Sequence, residues 1–144
     1  MLALVAGLCA CGEGEDALPE GTLTKQQFVK KAEAVCAQGD EEAQKLDDAA
    51  WQKYQPDHIT HDKALLAKLY TALLPARERE SRRLRAIGLP EGGEALIDEM
   101  ITAGEEGIEE GREHPEYLYE GGAPKDFGLV RRYELATKYG LEGC

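Results

Sequence analysis

The sequence predicts an all-α fold, an antiparallel up-down four-helix bundle, on three observations. Ala, Leu, Glu, Lys, Arg and Gln are abundant, while aromatic residues make up 6% of the chain, a balance that favours helix over strand. Apolar residues recur at helical spacing in four segments, and no strand alternation or internal repeat competes with them. The loops between those segments are short, which makes successive helices neighbours.

The first helix has the clearest start. Thr24 is the N-cap and Gln27 stands three residues on, a capping box, with Leu23 placed to staple onto Phe28. The stripe Phe28, Ala32, Val35, Cys36, Gly39, Ala43, Leu46 and Ala50 follows, and the helix ends near Tyr54, ahead of Pro56. A second helix opens at Thr60 to Asp62, either of which suits a cap. Leu66, Leu69, Tyr70 and Leu73 line one face, and Leu84 and Ile87 resume it. Pro75 removes a backbone donor and crowds the Thr71 carbonyl, so a kink or break is expected there. Gly88 closes the helix.

The third helix is expected from Pro90, with Glu91 and Glu94 favourably placed at the positive end of the helix dipole. Its stripe is Leu96, Ile97, Met100, Ile101, Gly104 and Ile108. Residues Glu116 to Gly122 read as a loop with one short turn. The fourth helix is expected from about Pro124 to Tyr139, with Phe127, Val130, Tyr133 and Leu135 or Ala136 inward. Tyr139-Gly140-Leu141 is a Schellman-type stop.

At 144 residues the chain is one domain by the length prior. A formal net charge of −11 argues against nucleic acid as partner and against adsorption to anionic lipid, because both need a basic surface. No apolar run is long enough to cross a bilayer as a helix. The organisation read from the sequence is a signal-like segment over 1–10, a tether over 11–22 and a helical domain over 23–144.

Residues Leu2 to Leu8 form a short apolar run, and Leu8-Cys9-Ala10-Cys11 resembles a bacterial lipobox. That resemblance implies diacylglyceryl attachment at Cys11 and anchoring at the outer face of the cell membrane. No Lys or Arg precedes the run, although a signal requires a positive start. The expectation is therefore that only the tail of the signal is present. The alternative is a cleaved secretory signal or a stray apolar segment with Cys11 unmodified. The acidic, Gly-rich stretch from Gly12 to Gly21 buries too little apolar surface to offset its ordering entropy, and reads as a flexible spacer.

Cys36 and Cys144 remain. In an exported protein two lone cysteines in the folded part pair more often than they stay free. The first and fourth helices are neighbours in the expected bundle, so the tail after the fourth helix reaches Cys36. The alternative is a buried free Cys36 and a dangling Cys144. Neither has a His or cation nearby in sequence to activate it as a thiolate.

Thr22-Leu-Thr-Lys-Gln-Gln-Phe-Val-Lys-Lys-Ala-Glu-Ala-Val-Cys36, taken with Tyr139-Gly-Leu-Glu-Gly-Cys144, resembles a group of small exported helical proteins of actinobacteria. In that group a first-helix Cys pairs with a C-terminal Tyr-Gly-Leu-x-x-Cys, and Leu89-Pro90 fits its middle loop. The resemblance implies a fold, a disulfide and an envelope location. It implies no activity.

Few residues carry a chemical signal. His58 and His61, flanked by Asp57 and Asp62, are of a type that binds Zn or Cu, but the same composition is ordinary in a loop ahead of a helix cap. Glu105, Glu106, Glu109, Glu110 and Glu113 make an acidic stretch toward the negative end of the third helix. A hard cation is one compensation for them, and the arginines Arg77, Arg79, Arg82, Arg83 and Arg85 are another; solvated surface is the default. Trp51, Tyr54, Tyr117 and Tyr119 either edge a ligand groove or plug the bundle ends. Nucleophilic triads, phosphate-binding glycine loops and haem attachment motifs do not occur.

The expectation is thus an envelope-anchored, non-enzymatic helical lipoprotein that binds a protein, polymer or small ligand, without catalytic residues or cofactor. The alternatives are an extracytoplasmic protein handling a metal or small ligand, and a structural spacer.

Overall fold

The structure is a computed structural model and describes residues 23–54, 62–119 and 123–144. The expectations for the 1–22 segment, including Cys11, and for His58 and His61 concern residues outside those described. Among the described residues five α-helices follow one another: α1 (Lys25–Tyr54), α2 (Lys63–Thr71), α3 (Leu74–Ile87), α4 (Glu94–Glu113) and α5 (Gly128–Tyr139). A 3-10 turn, Pro115–Leu118, follows α4. The fold is all-α; the described residues contain one isolated β-bridge, between Leu23 and Pro90.

The four expected helices become five because the second one breaks before Pro75, which falls in the first turn of α3. A proline tolerates that position, where its missing N–H would have no partner anyway. The capping box forms in full: Thr24 Oγ1 accepts from the Gln27 N–H at 3.2 Å and Gln27 Oε1 accepts from the Thr24 N–H at 3.0 Å. Leu23 packs against the core cluster that contains Phe28, as a staple does. At α2 the cap is Asp62, whose Oδ1 accepts from the N–H groups of Ala64 and Leu65.

Two helix starts differ from expectation. α4 begins at Glu94 rather than Pro90, with Gly93 as its N-cap. Pro90 is instead buried in the bridge to Leu23, and the Glu91 N–H donates to the Leu23 carbonyl at 3.0 Å. Gly92, at φ +74°, then turns the chain into the helix. The Glu94 carboxylate sits at that N-terminus, and the N–H groups there, first its own and then that of Gly92, hold its pKa below the ordinary value.

α5 begins at Gly128 rather than near Pro124. A methyl group at Gly128 would overlap the Ala103 carbonyl and the backbone of Gly107. That glycine seam brings the backbones of α4 and α5 together. The stop at the far end is the expected one. Gly140 is left-handed at φ +93°, its N–H donates to Ala136 O, and Leu141 folds back to be buried.

The main helix contacts are α4 with α5, α1 with α3, and α3 with α4. Within each, contacting residues run in opposite chain order. Leu23 meets Pro90 while Glu42 meets Arg79. Arg85 meets Asp98 while Glu78 meets Arg112, and Gly107 lies against Gly128 while Gly93 lies against Tyr139. The core they enclose joins Phe28, Ala32 and Cys36 of α1 to Leu84, Ile97, Met100, Ile101 and Ala136, with Tyr139 and Leu141. Phe28 and Tyr139 meet edge to face, with ring centroids 5.8 Å apart. A disulfide links Cys36 to Cys144 with a Cα–Cα distance of 5.2 Å, tying α1 to the segment after α5.

Two expectations for inward-facing tyrosines are overturned; Tyr70, expected on the apolar face of the second helix, is 41% exposed. Tyr133 is not inward; it is 66% exposed, and its neighbour Arg132 is buried. The guanidinium of Arg132 pairs with Glu80, which is wholly buried. Two glycines make the room. A methyl at Gly104 would press on the Arg132 side chain, and one at Gly39 would overlap the Glu80 carboxylate. Helical periodicity marks faces as apolar or polar, so a buried ion pair seated on two glycines lies outside what it detects.

Candidate functional site

The arginine run of α3 is consumed in several directions. Arg79 and Arg83 both donate to Glu42 of α1, at 2.8 and 2.6 Å, and first Arg79, then Arg83, hold the Glu42 carboxyl below its ordinary pKa. Arg77 spans Asp40 at 2.8 Å and Glu80 at 2.7 Å. Burial works against its charge, but those two carboxylates more than compensate and its pKa rises. Arg85 faces α4, donating to Glu105, Asp98 and Thr102. Arg82 stays local, on Glu78, which also receives Arg112. The run is therefore an internal clamp among α1, α3 and α4 rather than an open basic patch.

The acidic stretch of α4 is answered from three sides. Glu105 takes Arg85 and Glu106 takes Arg131 of α5 at 3.2 Å. Glu109 pairs with Arg112. Glu110 accepts from the Gly128 N–H at 2.8 Å and so caps the start of α5. These residues and Glu78 line a hollow of about 660 Å³. Among the described residues no three His, Cys, Asp or Glu side chains converge as a metal site; Glu109 and Glu110 have the partners just named, and Glu113 is exposed.

The aromatic residues divide. Tyr117 stacks on His114 at 4.9 Å and meets Phe127 edge-on at 5.6 Å, closing one end of the bundle. Tyr54 carries Lys53 over its ring at 5.2 Å. Trp51, by contrast, faces an open groove of about 510 Å³ between α1 and α2. From α1 come Asp40, Ala43, Gln44, Asp47 and Trp51, at offsets of three, four, seven and eleven residues that place them on one face. Leu66, Leu69, Tyr70 and Leu73 line the opposite side, and Arg77 closes the end.

The groove has an apolar floor and a mixed rim. Leu69 is buried, and Leu66 and Leu73 are half-buried. Trp51 is 43% exposed and Tyr70 is 41% exposed, and Tyr70 leans on Tyr119 with centroids 6.0 Å apart. Of the two aspartates, Asp40 is engaged by Arg77. Asp47 is half-buried and has neither hydrogen bond nor ion pair among the described residues. The Asp40–Arg77 pair also borders a second hollow of about 400 Å³, lined by Arg132, Tyr133, Glu142 and Cys144 among others.

Of the residues expected from sequence to edge a groove, Trp51 lines it and Tyr119 supports it from behind. Asp40 and Asp47 are not among them, and Tyr70, expected on the apolar face of the second helix, stands at the groove's rim. The signal lay in α1, where Asp40, Gln44, Asp47 and Trp51 follow one another at helical spacing beside the core stripe. No family model, curated protein or solved structure matches the chain.

Proposed function

We propose that the chain is an extracytoplasmic, lipid-anchored binding module without enzymatic activity, and that the α1–α2 groove is its binding site. The observation that carries this reading is the exposure of Trp51 and Tyr70 over a leucine floor. Two large aromatic rings held half in water beside apolar side chains form a surface suited to a ligand with an apolar body. Export is supported by the disulfide, since such bonds persist in oxidising compartments. Among the described residues no helix is long and apolar enough to cross a membrane, and the membrane attachment in this reading is a lipid on the lipobox-like Cys11.

Intact-mass measurement of the protein from its native host, with free thiols alkylated at lysis, tests the reading. The expected species carries diacylglyceryl on Cys11, a Cys36–Cys144 link and no alkylated thiol. Native-spray spectra are expected to retain a small molecule that is lost from the Trp51→Ala variant. Two alkylated thiols and an unmodified Cys11 would remove both the address and the anchor. Retention unaffected by Trp51→Ala would remove the groove.

A further inference from the structure

We infer that the groove selects an organic cation: a molecule with an apolar or aromatic body and an ammonium head. The inference rests on the reading of the groove as a binding site and adds the chemistry of its occupant.

Three features of the lining converge on that class. The carboxylate of Asp47 is half-buried on the groove wall with no partner among the described residues. Four residues along the same helix face stands Trp51, and across the groove stands Tyr70, both partly exposed. Aromatic faces attract cations through their quadrupole, and do so more strongly once water is excluded. A carboxylate beside two such faces forms a cation subsite, while Leu66, Leu69 and Leu73 receive the remainder of the molecule. The volume of about 510 Å³ falls within the range of small-molecule pockets.

The other ligand charges fit less well. An anion would need Arg77, the groove's one guanidinium, which is already held by Asp40 and Glu80. It would also lie near Asp47 and Asp40. A neutral occupant would strip water from Asp47 and leave that carboxylate without a partner, which costs the full desolvation of the group. The net charge of −11 further favours the approach of cations over long range.

The test uses three probes on one skeleton: 4-phenylbutylammonium, 4-phenylbutanol and 4-phenylbutanoate. Each is titrated into the disulfide-bonded protein and followed by calorimetry and by emission of the chain's one tryptophan, Trp51. The ammonium compound is expected to bind about tenfold or more tighter than the alcohol, as a charge-assisted contact implies, and the carboxylate weakest. Asp47→Asn is expected to erase the preference for the ammonium compound, weakening that compound and tightening the alcohol, which no longer desolvates a carboxylate. Glu33→Gln, exposed on the same helix and outside the groove lining, is expected to change neither. Trp51→Phe, read by calorimetry, is expected to weaken the ammonium compound several-fold.

Equal binding of ammonium and alcohol, or a preference that survives Asp47→Asn, overturns the cation assignment while leaving the groove as a binding site. Absence of binding by all three also overturns the assignment. In that case the molecule retained in native-spray spectra decides separately whether the groove binds anything. A retained neutral or anionic molecule would uphold the binding module and reject the cation.

Discussion

Breaking the Cys36–Cys144 link should cost between about a third and nearly all of the stability a folded domain possesses. The two cysteines are separated by 108 residues in sequence. In the chain-entropy expression a loop of that length removes about 16 cal/mol/K from the unfolded ensemble, or about 4.8 kcal/mol at 25 °C. Folded single domains are stable by only about 5–15 kcal/mol, so the link decides between a robust and a marginal protein. The native contacts of the tail need not be lost with it. Leu141 and Tyr139 are buried in the core and Gly140 makes its own helix stop, so the segment stays docked when the bond is open.

The assay is urea unfolding of the oxidised protein, the dithiothreitol-reduced protein and the Cys36→Ala/Cys144→Ser variant. With an ordinary dependence of about 2 kcal/mol per molar urea, the midpoint should fall by about 2 M in both altered forms. The slope should steepen on reduction, because an open unfolded chain exposes more surface than a cross-linked one. A loss below about 1 kcal/mol with an unchanged slope would refute the reasoning. It would mean that the unfolded chain is compact enough for the link to constrain little.

Two further outcomes are expected. Glu80→Gln leaves Arg132 charged and buried without its partner and should cost about 3–5 kcal/mol in urea unfolding, whereas replacing the pair with Leu and Met should cost much less, because a buried ion pair repays its desolvation poorly. A double variant as unstable as the single one would show that the site needs the charges themselves. Glu42 and Glu78 both have folded-state pKa values below the ordinary carboxylate, Glu42 through Arg79 and Arg83 and Glu78 through Arg112 and Arg82. Their contribution is therefore complete above the unfolded carboxylate value of about 4.3 and is lost as pH falls through the lower folded values. Thermal melts across the acid range should show that decline, and Glu42→Gln should flatten it; an unchanged acid limb in Glu42→Gln would exclude the Glu42 clamp as its source.

Local signals in the chain proved readable where they depend on nearest neighbours. The capping box at Thr24 and Gln27, the break at Pro75 and the Gly140 stop all satisfy backbone groups within one turn, and the structure forms each of them. The cysteine pairing was legible as well, since Cys36 and Cys144 are the only cysteines among the described residues. Features set by a distant partner were not legible. Pro90 looks like a first helical residue, but the bridge from Leu23 holds it outside α4. Tyr133 looks like a core residue, but Glu80, 52 residues away, draws Arg132 inward and turns Tyr133 out. The groove was half legible: Trp51 announced itself as an amphipathic ring, whereas Tyr70 and Asp47 became significant only when α2 was laid against α1.

The covalent link also fixes how the molecule carries tension. A pull applied between Leu23 and Cys144 enters α1, travels along it as far as Cys36 and leaves at once through sulfur. Everything from 37 to 143 hangs in a closed ring that the load never enters. A pull on the two ends of the described domain would thus stretch only the first turns of α1. The groove, whose first wall residue is Asp40, lies inside the protected ring.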